Sequence, residues 1–168
     1  SLPKAQAAAG DRACVFTPAY SGAAALGREA ARIRVPLGGV EVSARVLRVP
    51  LGKAEAYLVD HPAFFDRAGL YGEVGEDYPD NAERFAFFPR AVLEAAKALR
   101  LGPAVFHAHD WQAGLLPALL KTVYRADPVL GGSPSLFTVH NMGYQGVFPK
   151  EALALTGLPA SAFGLDGV

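Results

Sequence analysis

Over residues 40–46 the chain alternates, with Val40, Val42, Ala44 and Val46 on one side and Glu41, Ser43 and Arg45 on the other. A period of two sets one side against a core and the other in water, so a half-buried strand is predicted over 40–49. Gly38-Gly39 precedes it, and their freedom at positive φ suits a hairpin turn back to a second strand over 31–36. An apolar run at 13–17 is short, carries Val15 and Phe16 and is closed by Pro18, which favours a buried strand over a helix; 55–60 is the next strand. From 81 to 100 the period changes. Phe85, Phe88, Val92, Leu93, Ala96 and Leu99 recur at helical spacing, with Glu83, Arg84, Glu94, Lys97 and Arg100 between them, predicting a long amphipathic helix capped by Asp80. After Gly102-Pro103, residues 104–108 read as an apolar strand, and Asp110 is placed to cap a helix from Trp111 to about Tyr124. A loop with Pro128 and Gly131-Gly132 leads to a last strand over 135–139. At the other end, Leu2 to Ala9 reads as the tail of an Ala-rich helix stopped by Gly10. The first residue is Ser1, so the chain is expected to begin inside an element. The stretch 61–83 is too irregular for a single element.

Helix, strand, helix, strand in this order, with strands apolar throughout, indicates an α/β fold: a parallel sheet with helices on both faces and an antiparallel hairpin insertion. The 168 residues, half of them hydrophobic (51%), suffice for one core, and no repeat or low-complexity linker marks a second domain. Lys plus Arg and Asp plus Glu number 16 each, so no basic stripe is available for nucleic acid or an anionic membrane. Neither is expected as a partner. The single Cys14 forms no internal disulfide, no apolar run has the length of a membrane span and no signal segment opens the chain, which together point to the cytoplasm. Oligomeric state is left open.

In an open parallel sheet, ligands bind outside the carboxyl ends of the strands, where loops and helix N-termini converge. Two predicted strands end there in polar clusters: His107-Ala108-His109-Asp110-Trp111 and Thr138-Val139-His140-Asn141. Three of the four histidines stand in these clusters. A sugar site needs neutral donors and acceptors, aromatic surfaces and no metal, and His109, His140, Asn141, Tyr144 and Gln145 supply those types. The same residues admit a second reading. His107 and His109 lie at i and i+2, so their rings share a face, and with Asp110 they have the spacing of metal ligands in hydrolases. In a third reading Tyr71, Tyr78, Trp111 and Tyr144 stack on sugar rings and the chain is a glucan-binding module, although Trp111 and Phe85 also suit a core. The acidic stretch Glu73 to Asn81 reads as a solvated loop for Glu73 and Glu76. No phosphate loop of Gly-Lys-Ser/Thr type, no Gly-x-Ser-x-Gly elbow and no zinc-spaced Cys pair is present.

Five segments in register resemble bacterial glycogen synthases and plant starch synthases. They are Tyr57-Leu58-Val59-Asp60-His61-Pro62, Gly69-Leu70-Tyr71-Gly72, Asp80-Asn81-Ala82-Glu83-Arg84-Phe85, the run from His107 to Leu115, and the run from Phe137 to Pro149. The resemblance extends from about Leu2 to Leu165. It implies a Rossmann-like fold forming part of the N-terminal domain of a two-Rossmann-domain (GT-B) retaining glucosyltransferase. It further implies ADP-glucose, or UDP-glucose, as donor substrate, an α-1,4-glucan such as glycogen as acceptor, and no cofactor. By position, His109 resembles the family's active-site histidine. His107, Asp110, His140, Asn141, Tyr144 and Gln145 match its strand-end motifs beside the cleft, and Asp80 and Asn81 match its Asp-Asn motif. The family begins with a strand and a Lys-Thr-Gly-Gly loop, and its C-terminal domain carries most nucleotide contacts. All 168 residues are therefore expected to form a partial N-terminal domain lacking both parts, inactive when isolated.

Overall fold

A computed structural model of the chain describes residues 1–102 and 104–164; Pro103 of the predicted turn and Leu165, where the resemblance ends, lie outside the described residues. Helix α1 (Leu2–Ala9) ends where expected, at Gly10 with φ of 107°. Strands β1 (Cys14–Pro18), β2 (Arg28–Leu37), β3 (Val40–Leu51) and β4 (Ala54–Asp60) form one sheet in the order β1-β4-β3-β2. β1 runs parallel to β4, and β3 is antiparallel to both neighbours. Gly38 and Gly39 both have positive φ, and Leu37 pairs with Val40 across them, as a two-residue hairpin requires. The hairpin is half of this sheet, longer than the sequence pattern indicated, because Ile33, Val35, Leu37, Ala44 and Val46 are buried in the main core. Adjacent residues on one strand serve opposite faces. Val46 and Val59 join the main core, whereas Leu47 and Leu58 pack with Ala19 beneath a 3-10 turn at Ala23–Leu26.

The irregular stretch contains a short helix α2 (Pro62–Phe65) and a minimal ribbon, β5 (Gly72–Glu73) with β6 (Glu76–Asp77). It leads into α3 (Asn81–Ala98), which lies against β2 and the hairpin core. The helix runs through Pro89, whose ring is buried, so apolar periodicity outweighs the backbone hydrogen bond that a proline removes. β7 (Phe106–His109), α4 (Leu115–Lys121) and β8 (Ser135–Thr138) follow, then a short α5 (Leu153–Thr156) that packs on α3. β7 and β8 are parallel and form their own hydrogen-bonded pair. The predicted parallel sheet is thus present as two parallel pairs, β1–β4 and β7–β8, in separate ladders.

Three local expectations are corrected. α3 is not simply amphipathic, since Arg84 (0% exposed) and Arg90 are buried with its apolar residues. Asp80 stands at the helix N-terminus without a side-chain cap bond, because Arg67 claims its carboxylate. Asp110 likewise caps nothing, and the element after it is a 3-10 turn (Trp111–Ala113) before α4.

Arg84 makes three hydrogen bonds, two of them fully buried. Nε donates to the Phe64 carbonyl at 2.7 Å, one terminal nitrogen to Asn81 Oδ1 at 2.6 Å and the other to the Leu70 carbonyl at 2.9 Å. Burial lowers its pKa, and no carboxylate pairs with it among the described residues. The planar fork reaches three separate acceptors; a lysine ammonium at one point does not. Arg84→Lys is expected to destabilise the chain by on the order of 3 kcal/mol, since it leaves buried acceptors without donors. Chemical unfolding checks this, with a lowered midpoint at unchanged slope.

Candidate functional site

The parallel register of β7 and β8 sets His109 beside Thr138, so both strands release their next residues at one edge. There the backbone of Asp110 has φ of 56° and ψ of −179°, a region in which a side chain costs about 1–3 kcal/mol. Two bonds to the neighbouring strand hold it. The Asp110 N–H donates to the Thr138 carbonyl at 2.9 Å, and Asp110 Oδ1 accepts the His140 N–H at 2.7 Å. The predicted helix cap is thus a clamp between two strand ends.

Above this clamp the three histidines meet. His109 Nδ1 lies 3.0 Å from His140 Nε2, and the rings are stacked with centroids 5.2 Å apart. His107 and His109 share a face, as their spacing predicts, with ring centroids 4.1 Å apart. His107 Nε2 is bonded to Thr138 Oγ1 at 2.7 Å, so His107 braces the cluster from its half-buried side. Burial lowers the pKa of His109, and neighbouring His107 and His140 add to this against the opposing charge of Asp110. His109 is therefore neutral at neutral pH. Whichever imidazole donates in the His109–His140 bond, Nε2 of His109 is left as either a donor or an acceptor, and a hydroxyl can meet both.

After His140 the chain turns outward. Asn141 Oδ1 accepts the Gly143 N–H at 2.8 Å, and Gln145 Nε2 donates to the Met142 carbonyl at 3.0 Å. Tyr144 projects with 71% exposure. Gly146 closes the loop over Trp111. Its φ is positive, and a Cβ there would stand 2.3 Å from the indole. Trp111 is packed against Phe85, Tyr71 and Phe148, so its faces serve the fold, as does Phe85.

Asp80 and Asn81 are not brought to the histidines. Asp80 forms a two-point ion pair with Arg67, which lowers its pKa, and Asn81 donates to the Tyr71 carbonyl at 2.8 Å while accepting from Arg84. Their connection to the crevice runs through Tyr71, whose ring meets Trp111 at 5.8 Å. Tyr78 is held between Arg67 and Arg84 and donates to Glu73, so that carboxylate is engaged even in its exposed loop. His61 stands apart, its ring tilted against Phe64 at 4.2 Å, with Nδ1 buried and unpartnered among the described residues.

This geometry bears on the metal reading. His107, His109 and Asp110 share an edge, but one nitrogen of each ring and one oxygen of the carboxylate are bonded within the protein. Among the described residues no three His, Cys, Asp or Glu side chains are grouped to hold a metal ion. Sequence reasoning missed Thr138 as the partner of His107, although it ends the matching strand. It also missed the strain at Asp110, for which the residue type offers no signal. A nuclear magnetic resonance titration of the imidazoles checks the electrostatics. His109 should titrate below the ordinary midpoint of about 6.5, and should move up towards it in His140→Ala.

The sequence model of the family described as starch synthase catalytic domain matches residues 1–168. The chain is 44% identical over 180 residues to the glycogen synthase of Koribacter versatilis, covering 98% of this chain and 34% of that protein. It is 45% identical over 166 residues to the glycogen synthase of Anaeromyxobacter sp. (strain K), covering 97% and 34%. Among solved structures, the catalytic domain of Starch Synthase IV from Arabidopsis thaliana, bound to ADP and acarbose, superposes with a TM-score of 0.81 at 25% identity over 95% of this chain and 33% of that one. The chain therefore spans about a third of the length of the relatives it matches. Among the described residues no helix is long and apolar enough to cross a membrane. With its whole length matched and its α/β framework shared, the chain belongs to the family of glycogen and starch synthases.

Proposed function

We propose that these residues form one wall of the cleft of a glycogen or starch synthase, which transfers glucose, with retention, from ADP-glucose or UDP-glucose to the non-reducing 4-hydroxyl of an α-1,4-glucan. The observation that carries this reading is the hydrogen-bonded His109–His140 pair at the ends of two parallel strands, with burial lowering the pKa of His109. An uncharged donor–acceptor surface suits sugar hydroxyls, and the outward amides of Asn141 and Gln145 and the hydroxyl of Tyr144 extend it. The Arabidopsis relative, bound to ADP and acarbose, supports a cleft for a nucleotide and a sugar.

In this reaction the bond from the anomeric carbon to the diphosphate breaks, and a bond to the acceptor oxygen forms on the same face. The acceptor's proton leaves with the nucleotide diphosphate. His109 holds a glucose hydroxyl beside the anomeric centre, oriented by His140 and through it by Asp110. His107 fixes the strand edge from behind. One step further back, Asn81 holds the Tyr71 carbonyl beside Trp111 and Asp80 anchors Arg67. Charge building on the diphosphate calls for cations. The charged neighbours acting on His109 are His107, His140 and Asp110, with no Lys or Arg among them. That stabilisation is assigned to the domain that faces this wall in the family, and closure between the two walls excludes competing water.

In a full-length synthase carrying this cluster, His109→Ala is expected to lower kcat about 100-fold or more, the scale of losing a transition-state hydrogen bond, with a smaller change in KM. An unchanged rate would remove His109 from the catalytic residues. The 168 residues on their own are expected to transfer no labelled glucose from ADP-glucose to glycogen; measurable transfer would show that this wall suffices.

A further inference from the structure

At the other end of β8, away from the histidines, lies a cavity of about 590 Å³ that the glycosyl-transfer reading does not use. Lys121, Arg125, Gly131, Gly132, Ser133 and Ser135 line it. Ser135 opens β8 and Thr138 closes it, so roughly 10 Å of strand separates this cavity from the histidine cluster.

Beside the apolar Leu120 and Pro134, its charged side chains are both cationic. Lys121 and Arg125 are exposed, and neither forms an ion pair among the described residues. Asp127 is the only carboxylate in 122–134, and it does not neutralise them. Its carboxylate is bound by Lys97 at 2.9 Å and by the N–H groups of Val129 and Leu130. Ser133 Oγ is buried without a hydrogen-bond partner among the described residues. Gly131 is wedged against the Arg125 and Asp127 carbonyls, leaving no room for a Cβ, whereas the space beside Gly132 is open. A ligand can therefore approach the Gly132 backbone directly.

We propose that this cavity is a binding site for a phosphate dianion. Two cations, the buried Ser133 hydroxyl that has no other partner among the described residues, and the backbone amide of exposed Gly132 offer four donors around it. A tetrahedral group with three or four oxygens uses all of them, while a carboxylate has only two oxygens to offer. The ligand is either the free ion or a phosphate monoester whose organic part occupies the remaining volume.

Calorimetric titration of the full-length protein at fixed ionic strength tests this, with inorganic phosphate in one arm, a hexose monophosphate in a second and chloride alone as reference. Saturable binding of phosphate is expected, weakened at least tenfold in K121A/R125A and unchanged in His109→Ala. Both replaced side chains are exposed, so the unfolding midpoint in chloride should not move. Should that double variant fail to fold, the single changes Lys121→Gln and Arg125→Gln, each weakening phosphate binding, serve instead. Tighter binding of the monophosphate identifies an ester site, and equal binding identifies the free ion. Binding no stronger than chloride, or full affinity in the charge-removed variants, overturns the proposal. Loss of binding in His109→Ala with full binding in K121A/R125A would place the phosphate in the catalytic cleft and overturn it equally.

Discussion

A guanidinium that pairs with no carboxylate among the described residues holds the 61–80 stretch to the rest of the molecule. That stretch has little regular structure, so its carbonyls cannot satisfy one another as they would in a helix or a wide sheet. Arg84, projecting from the first turns of α3, takes two of those carbonyls and the Asn81 amide oxygen in one planar fork. Its face also lies against Phe65, Tyr78 and Phe85. Burying a charge in this way is costly unless every donor is used. Asn81 orients the fork and holds the Tyr71 carbonyl, while Asp80 holds Arg67, which bonds back to the Ala63 carbonyl. The Asp-Asn pair is thus the hinge point between helix and loop. Its effect reaches the crevice through the Tyr71–Trp111 contact.

At the crevice a second constraint operates. Parallel strands deliver their C-terminal residues to the same edge, which crowds three imidazoles within a few ångströms. Partial burial lowers the pKa of His109, and its two imidazole neighbours add to that. The result is a polar surface with little charge, suited to neutral hydroxyls and ill suited to taking up the charge of a diphosphate. The strained backbone at Asp110 allows this carboxylate to reach back to the His140 N–H. Strain at a strand end, offset by two cross-strand bonds, is the means by which a site of this kind is preorganised.

Several features could be read from order and spacing alone. The hairpin at Gly38-Gly39, the helix stop at Gly10, the apolar period of α3 and the two strand-end histidine clusters all depend on near neighbours in the chain, and all are present. The shared face of His107 and His109 follows from the strand period. The family, too, was legible, because five short segments keep their order and types. Which residue meets which across the fold was not. Asp80 and Asp110 have the local signature of helix caps, yet each is drawn away by a distant partner whose attraction exceeds the modest gain of a cap. Arg84 has the signature of a solvated helix face and is fully buried, since the carbonyls that retain it belong to residues 14 and 20 positions away.

The chain by itself therefore determined most of its elements, its fold class and the residue types at its strand ends, because those depend on backbone geometry over a few residues. Tertiary structure alone decided the pairing of His109 with His140, the clamp at Asp110, the covering of Trp111 by Gly146 and the burial of Arg84. Each of these joins residues far apart in sequence, and the choice among competing hydrogen-bond partners is settled only when the whole core has packed.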